Sequence, residues 1–313
     1  MLPDITPVLE GYSLSPGEYI GIPIALVGAV LLSLGAHYQH RGVVKVEANS
    51  GVEQSSGLNI KQLLALAARP SWLLGTILLG VAVLFQLTSL NFSPLTVVQP
   101  LGAVGLVVTA ILTSRSSGIK LDAISKRAIA FCIGGVAVFV IIASMTTKSP
   151  PITEVQLTAV LIILVVVLTV AAVLFGIFRK RMRALAYVVA AGVLFGFVAT
   201  LAKVVIGRIQ TLIELEFQRG GIEWLTIGCV IGLLAAAALG SYFVQSAYSS
   251  GPPDLVVAGL TVIDPIVAIT IGIVVLGEAS TAPWWAIIAF IVAGAVAVYG
   301  VFQLAKHHPQ LQH

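Results

Sequence analysis

Charged side chains are scarce in this sequence and are absent from long stretches of it. They make up 10% of the 313 residues, whereas a soluble domain carries about a quarter. Uncharged runs of about twenty residues recur along the chain, which is the length of a helix that crosses a bilayer. The composition therefore predicts an all-α polytopic membrane protein with no separate soluble domain. The net charge of +4 is not a nucleic-acid signal, because the basic residues lie in short loops and form no basic face.

Motifs for catalysis, nucleotide binding and metal chelation are missing as well. The two cysteines, Cys132 and Cys229, fall inside apolar runs, where we expect packed thiols rather than a disulfide or a metal cluster. No Gly-x4-Gly-Lys-Ser/Thr loop and no His-Glu-x-x-His helix occurs in the sequence. We therefore expect neither an enzyme nor a cofactor, and any uphill transport would draw on an ion gradient or a membrane potential.

The apolar runs predict nine membrane-spanning helices. Their approximate ranges are 19–39, 71–91, 94–113, 127–146, 155–178, 185–207, 223–248, 254–276 and 284–305. Helices one to four and helices six to nine share a layout, in which a long connection follows the first helix and three closely joined spans come next. Five crossings separate equivalent helices, so the second half should be inverted relative to the first, as in many secondary transporters.

Two inverted repeats of four helices, joined by one linker helix, are the predicted organisation. The segments are an extracytoplasmic start 1–18, a first repeat 19–146, a linker 147–184, a second repeat 185–305 and a cytoplasmic tail 306–313. The long connections contain amphipathic stretches, 58–69 and 209–219, which are too short to span and are expected at the interface. Glycines four residues apart, Gly192/Gly196 in helix six and Gly228/Gly232 in helix seven, predict that each helix packs closely against a neighbour in lipid. A sliding or hinging contact in a moving transporter is the alternative interpretation.

Lysine and arginine are distributed unevenly between the two sides of the predicted bundle. Thirteen of the 17 follow helices one, three, five and nine, on the side that carries the C-terminus. The opposite side receives Lys148, Arg208 and Arg219. Because basic loops stay in the cytoplasm, we expect the N-terminus outside and the C-terminus in the cytoplasm, in the plasma (inner) membrane.

Two polar residues, each followed by a proline, interrupt the apolar runs at equivalent places. Asp264-Pro265 lies near the middle of helix eight, and Gln99-Pro100 occupies the matching position in helix three. A carboxylate at this depth usually faces a cavity or a partner, and proline leaves a carbonyl one turn earlier without its helical donor. These four residues predict a substrate site between the repeats. A structural acid, hydrogen-bonded to a neighbouring helix, is the alternative interpretation of Asp264.

Further polar residues within the spans are candidates for the same substrate site: Lys203, His37, Tyr242 and Gln245. Lys203 lies late in helix six, where its ammonium either snorkels to the interface or meets Asp264 or an anionic substrate. His37 ends helix one and is either a proton relay or an interfacial histidine. Glu278 closes helix eight and is expected in water at the outer surface. The metal ligand, if a divalent cation is carried, would be Asp264.

The stretch 260–278, which contains Asp264-Pro265 and ends in Gly277-Glu278, resembles the signature of EamA-type members of the drug/metabolite transporter superfamily. Residues 93–103, Ser-Pro-Leu-Thr-Val-Val-Gln-Pro-Leu-Gly-Ala, and the stretch 192–203 are similar to the NIPA-type magnesium transporters of that superfamily. The resemblance implies two inverted repeats around a central cavity and alternating access without nucleotide hydrolysis. This sequence departs from the family in two ways. It predicts nine spans, whereas the family commonly has ten. In its first half the signature ends in Leu112-Thr113, where the family has Gly-Glu.

Secondary transport of a small solute by alternating access is the expected function, coupled to protons if Asp264 titrates. Two alternatives stay open. One is transport of Mg²⁺ or another divalent cation, and the other is a non-transporting membrane subunit that supports envelope biogenesis or handles a lipid-linked intermediate. A laterally open apolar groove would favour lipid handling, whereas a closed polar cavity would favour a soluble solute. The partners considered are membrane lipids, the substrate and a second copy in a homodimer.

Overall fold

Helices account for the regular structure of the protein. The computed structural model describes residues 15, 17–50, 69–118, 121–178, 184–214, 224–250 and 253–306. Within these ranges no β-strand occurs, and nine helical segments are long and apolar enough to cross a membrane. The all-α membrane class predicted from composition is therefore confirmed.

Ten α-helices follow one another along the described chain, after a short 3-10 helix at Glu18–Ile20. They are α1 Gly21–Ser50, α2 Pro70–Phe92, α3 Leu95–Leu101, α4 Ala103–Ser117, α5 Ala123–Thr146, α6 Glu154–Phe178, α7 Ala184–Glu214, α8 Trp224–Ser250, α9 Pro253–Val274 and α10 Trp284–Lys306. Helices α3 and α4 form one span, because Gly102 between them keeps a helical backbone (φ −57°, ψ −31°). Each of the other eight helices contains one span.

The helix ends differ from the predicted ones at the two long connections. Helix α1 continues to Ser50 instead of ending near residue 39. Helix α7 continues to Glu214, so residues 209–214 prolong a membrane helix rather than begin a separate interfacial one. The rest of that amphipathic stretch, and residues 58–68 of the earlier one, lie outside the described residues.

The bundle is assembled from helix pairs that pack along much of their length. These pairs are α1 with α2, α7 with α8, α7 with α9, and α5 with α10. The α5–α10 contact is reciprocal. Gly135 of α5 lies against the backbone of Ala297, and Gly300 of α10 lies against the backbone of Cys132. A methyl group at either glycine would collide with the partner helix, so both positions fix a close crossing in lipid.

Glycines also bring α7 against α9, at the level of Asp264. A Cβ at Gly192 would lie 2.7 Å from the Cβ of Ile263, and one at Gly196 would lie 2.7 Å from the Cβ of Val267. Carbon atoms that are not bonded to each other do not approach this closely, so a side chain at either glycine would clash with α9. The close packing predicted from the spacing of these glycines is therefore confirmed.

We expect Gly196→Ala to destabilise the folded protein, because the new methyl group must push α7 away from α9. Overpacking of this kind costs about 1–3 kcal/mol. Gly80→Ala is the matched control, since nothing lies within 4 Å of a Cβ at Gly80 in α2 and alanine is the better helix former. Thermal unfolding in detergent measures both changes. Equal melting temperatures for Gly196→Ala and the wild type would contradict the close contact.

Candidate functional site

A sharp corner separates α2 from α3 inside the protein. Helix α2 ends at Phe92, and Ser93 (φ −120°, ψ 156°) and Pro94 (φ −59°, ψ 151°) are extended before α3 begins at Leu95. A corner of this kind exposes the last carbonyls of one helix and the first amides of the next. Ser93 and Leu95 are fully buried, so these polar groups need partners from the protein.

Glu278 supplies the partners for the amides of α3. Its Oε1 accepts a hydrogen bond from the Leu95 amide (2.7 Å), and its Oε2 accepts from the Thr96 amide (2.8 Å) and the Thr96 hydroxyl (2.5 Å). The carboxyl group thus caps the N-terminus of α3, where a negative charge is stabilised by the helix dipole. Glu278 is only 2% exposed. The prediction that it lies in water is wrong.

The end of α9 explains why Glu278 turns inward. Gly277 adopts a left-handed backbone (φ 72°), and the Glu278 amide donates to the carbonyl of Gly272 at 3.0 Å. This bond spans seven residues and, with the left-handed Gly277, folds the chain back over the helix that it ends. Gly272 also leaves room for the side chain, because a Cβ there would lie 2.8 Å from Oε2 of Glu278. The Gly-Glu pair therefore serves to aim a carboxylate into the bundle.

Lys203 of α7 supplies the partners on the other side of the corner. Its Nζ donates to the carbonyl of Leu90 at 2.6 Å and to that of Ser93 at 2.9 Å. These carbonyls lie at the end of α2, where a cation is also favoured by the helix dipole. Lys203 is 5% exposed, so the snorkelling interpretation is wrong. Neither of these hydrogen bonds goes to Asp264, and Glu278 and Glu18 supply negative charge near the ammonium.

The corner is enclosed by a network of opposite charges, which we call the corner cluster: Glu18, Lys203 and Glu278. Burial raises the pKa of Glu278, and the Thr96 and Leu95 donors and the Lys203 ammonium act in the opposite direction. Glu18 accepts from the Ser149 amide at 2.9 Å, and the Lys148 amide donates to the Glu278 carbonyl at 2.9 Å. The loop after α5 therefore closes over the same cluster.

A polar cavity of about 400 Å³ lies beside the corner cluster. Its polar lining includes Glu18, Asn91, Lys203, Gln210 and Thr211. This cavity was not anticipated from the sequence, because it depends on the inward position of Lys203.

Asp264 and Gln99 each carry a buried polar atom that lacks a hydrogen-bond partner among the described residues. These atoms are Oδ1 of Asp264 and Nε2 of Gln99. Gln99 is 6% exposed, and α3 and α9, which carry the two residues, pack against each other. Asp264 lies beside α7, since its carbonyl would be 3.0 Å from a Cβ at Gly196. A buried acceptor and a buried donor without partners cost free energy, which a bound group would recover.

A second cavity, which we call the apolar groove, has a volume of about 480 Å³ between α3, α4, α5, α9 and α10. Pro100 and Pro265 both line it, whereas Asp264 and Gln99 do not. Its other lining residues are aliphatic or aromatic, apart from Thr261 and Thr270. The two prolines of the predicted site thus lie in an apolar wall, and the polar residues that precede them face elsewhere.

The remaining candidates lie apart from both cavities. Tyr242 is 52% exposed and contacts the rings of Phe175 and Phe243. Gln245 is exposed on the same helix, and neither residue lines the groove or the polar cavity. His37 is partly buried and makes an edge contact with Tyr38. The structure therefore does not bring these three side chains to the cavities near α3 and α9.

Metal-binding side chains do not gather in groups of three in the described part of the chain. No group of three His, Cys, Asp or Glu residues there could hold an ion. The buried carboxylate of Glu278 is already occupied by three donors from Leu95 and Thr96.

Comparison with known proteins gives partial similarity to transporters. An uncharacterised protein of Corynebacterium glutamicum is 25% identical over 288 residues, which cover 92% of this chain and 95% of that protein. The magnesium transporter NIPA4 of Mus musculus is 25% identical over 138 residues, 44% of this chain and 33% of the transporter. A probable magnesium transporter of Candida albicans is 24% identical over 139 residues, 44% of this chain and 35% of that protein. No family model matches the chain, and no solved structure gives a significant match.

These similarities cover about a third of each magnesium transporter. Together with nine helices of membrane-spanning length in the described chain, they support a membrane transporter. No family model supports the resemblance to EamA-type proteins.

We expect Glu278→Gln and Lys203→Met each to lower the free energy of unfolding by about 3 kcal/mol. Glu278→Gln places a side-chain amide against the backbone donors at the start of α3. Lys203→Met leaves the buried carbonyls of Leu90 and Ser93 without their hydrogen-bond donor. Glu154→Gln is the control, because Glu154 is exposed and has one ion pair, with Arg208 at 3.4 Å, of a kind worth at most about 1 kcal/mol. Thermal and denaturant unfolding of the purified variants give the comparison. Losses no larger than that of Glu154→Gln would refute the role of the corner cluster.

Proposed function

We propose that this protein is a secondary transporter that exposes a site at Asp264 and Gln99 alternately to the two sides of the membrane. The observation that carries the proposal is the pair of unpartnered buried atoms, Oδ1 of Asp264 and Nε2 of Gln99. Each residue precedes a proline inside a membrane helix, and the two helices pack against each other. Polar groups at this depth are expensive unless they serve a substrate, an ion or a proton.

The helix contacts support an arrangement in two inverted repeats. The first two helices of each proposed repeat form a pair, α1 with α2 and α7 with α8. The last helices of the repeats, α5 and α10, pack on each other through reciprocal glycines, Gly135 and Gly300. A pseudo-twofold axis between the repeats would generate contacts of this kind, with the substrate site at the repeat interface.

The chemistry of the pair suits a ligand that both donates and accepts hydrogen bonds. The Asp264 oxygen accepts when it is ionised, and the Gln99 nitrogen donates. A proton on Asp264 would remove the charge and with it much of the cost of burial. Coupling of transport to protons through this carboxylate is therefore part of the proposal.

Transport of Mg²⁺ is the second candidate, and the similarity to magnesium transporters favours it. Mg²⁺ usually keeps several waters and binds through one or two carboxylates. Asp264 is the carboxylate in the middle of a described span, so it would hold the hydrated ion, and Gln99 on the packed helix α3 would add a neutral polar group. Both candidates use Asp264, and flux measurements separate them.

We expect Asp264→Asn to reduce proton-coupled transport by about tenfold or more, because a neutral amide cannot exchange a proton, and proton transfer by a positioned group commonly contributes about a hundredfold or more. Purified protein in proteoliposomes is assayed with a pH gradient, using a Mg²⁺-sensitive dye in one arm and labelled organic solutes in the other. Glu154→Gln serves as the carboxylate control outside the site. Full activity of Asp264→Asn with an unchanged pH dependence would rule out the proposed role.

A further inference from the structure

The polar cavity beside the corner cluster lies at the ends of membrane spans. Phe92 closes the span of α2, Thr211 closes that of α7, and Ser149 follows the span of α5; all three residues line the cavity. Its volume of about 400 Å³ falls in the range of small-molecule sites, roughly 300–1,000 Å³. Gln210 in its wall is exposed and Glu18 is half-buried, so a polar solute can enter from the aqueous phase.

Lys203 presents an unused hydrogen-bond donor at this cavity. An ammonium group has three N–H donors, and two of them go to the carbonyls of Leu90 and Ser93. Its Nζ makes no further hydrogen bond and no ion pair with another described residue. Lys203 is 5% exposed and lines the cavity. The third N–H therefore remains for a ligand, and an anionic oxygen is the acceptor that would bind it most strongly.

Glu18 presents the opposite charge at the same cavity. Its Oε1 accepts from the Ser149 amide at 2.9 Å, and its Oε2 accepts from the Ser15 amide at 2.7 Å. A carboxylate has about four lone-pair sites, so each oxygen can accept once more. The charge of Glu18 acts on the Lys203 ammonium, but no ion pair joins these two side chains in the described structure. The two charges are therefore close enough to interact and far enough apart for a ligand to lie between them.

Two neutral amides complete the polar part of the wall. The side chains of Asn91 and Gln210 line the cavity, and within the described part of the chain neither makes a hydrogen bond. Each amide offers donors and an acceptor, so these groups can serve either end of a ligand. The wall thus carries one positive group, one negative group and neutral groups of both hydrogen-bonding kinds.

We propose that the polar cavity binds a small zwitterion, with its cationic group at Glu18 and its anionic group at Lys203. A simple anion would satisfy Lys203 but meet the like charge of Glu18, and a simple cation would meet the like charge of Lys203. Neither Asp264 nor Gln99 lines this cavity, so the inference does not depend on the proposed transport function. A free amino acid and a phosphatidylethanolamine headgroup share this chemistry, and the experiment distinguishes them.

Isothermal titration calorimetry of the full wild-type chain in phosphatidylglycerol nanodiscs tests the ligand class. The probes are glycine, β-alanine and γ-aminobutyrate, in which the two charges lie progressively further apart. Acetate and ethylammonium are the controls with a single charge. We expect at least one zwitterion to bind about tenfold or more tightly than either control, because each control lacks one charge-assisted hydrogen bond, which is commonly worth that factor.

Two variants locate the bound zwitterion. Glu18→Gln removes the charge that meets the cationic group and should weaken binding about tenfold or more, whereas Glu154→Gln, outside the cavity, should bind as the wild type does. Gln210→Trp fills the cavity from an exposed position on α7 and should abolish binding. Ile209→Trp is its matched control, because Ile209 is exposed on the same helix and does not line the cavity.

A second titration, with phosphatidylethanolamine in the nanodiscs, identifies the source of the zwitterion. Its headgroup would compete with the free probe if it occupied the cavity. Weaker binding of the probe in these nanodiscs assigns the cavity to the lipid headgroup, and equal binding assigns it to a solute from water.

Three results would overturn the proposal. Acetate or ethylammonium bound as tightly as the zwitterions would make the cavity a site for a simple ion. Absence of binding by every zwitterion in phosphatidylglycerol would leave the cavity to water. Unchanged affinity in Glu18→Gln and Gln210→Trp would place the zwitterion elsewhere, and a loss in Asp264→Asn instead would place it at the pair proposed for transport. The comparison of ligands uses the wild type alone, so it decides even where a variant does not fold.

Discussion

The buried contact between Glu278 and the start of α3 is the interaction on which the rest of the structure depends. Two backbone amides at a helix start have no intrahelical partner, and inside an apolar bundle water cannot supply one. A carboxylate more than 180 residues away in the sequence does so. Lys203 completes the other side of the corner at the end of α2. Because both side chains come from the second half of the chain, the corner can exist only when the two halves are joined.

This constraint divides the molecule into two chemically different regions. Beside the corner cluster lies a polar cavity, and the loop after α5 forms part of its lining. Along α9 and α10 lies the apolar groove, which is open to lipid. Helix α3 joins these regions, since its first residues bind Glu278 and Pro100 lines the groove. Any movement of α3 would therefore act on both regions together, which suits a protein whose proposed site lies at Gln99 and Asp264.

The sequence predicts the class and the spans because runs of about twenty uncharged residues have few other structural solutions. Pro94 stands at the corner before α3, where a proline cannot continue the preceding helix. The sequence does not predict the buried position of Glu278. Counting residues from the helix end cannot reveal that the chain reverses direction at Gly277, which adopts a left-handed backbone. Tyr242 and Gln245 lie away from the two cavities, and the sequence pattern does not reveal which face a helix turns toward its neighbours, because that depends on packing. The groove is missed for a similar reason, as its lining comes from five helices, α3, α4, α5, α9 and α10.

Hydrogen–deuterium exchange at the amides of Leu95 and Thr96 tests the central claim most directly. Both amides donate to Glu278 at the start of α3 rather than to a preceding turn. The buried cap predicts slow exchange of these two amides in the wild type. In Glu278→Ala it predicts faster exchange at these two amides, while the exchange rates of the α5 amides stay unchanged. Fast exchange in the wild type, or equal protection in Glu278→Ala, would contradict it.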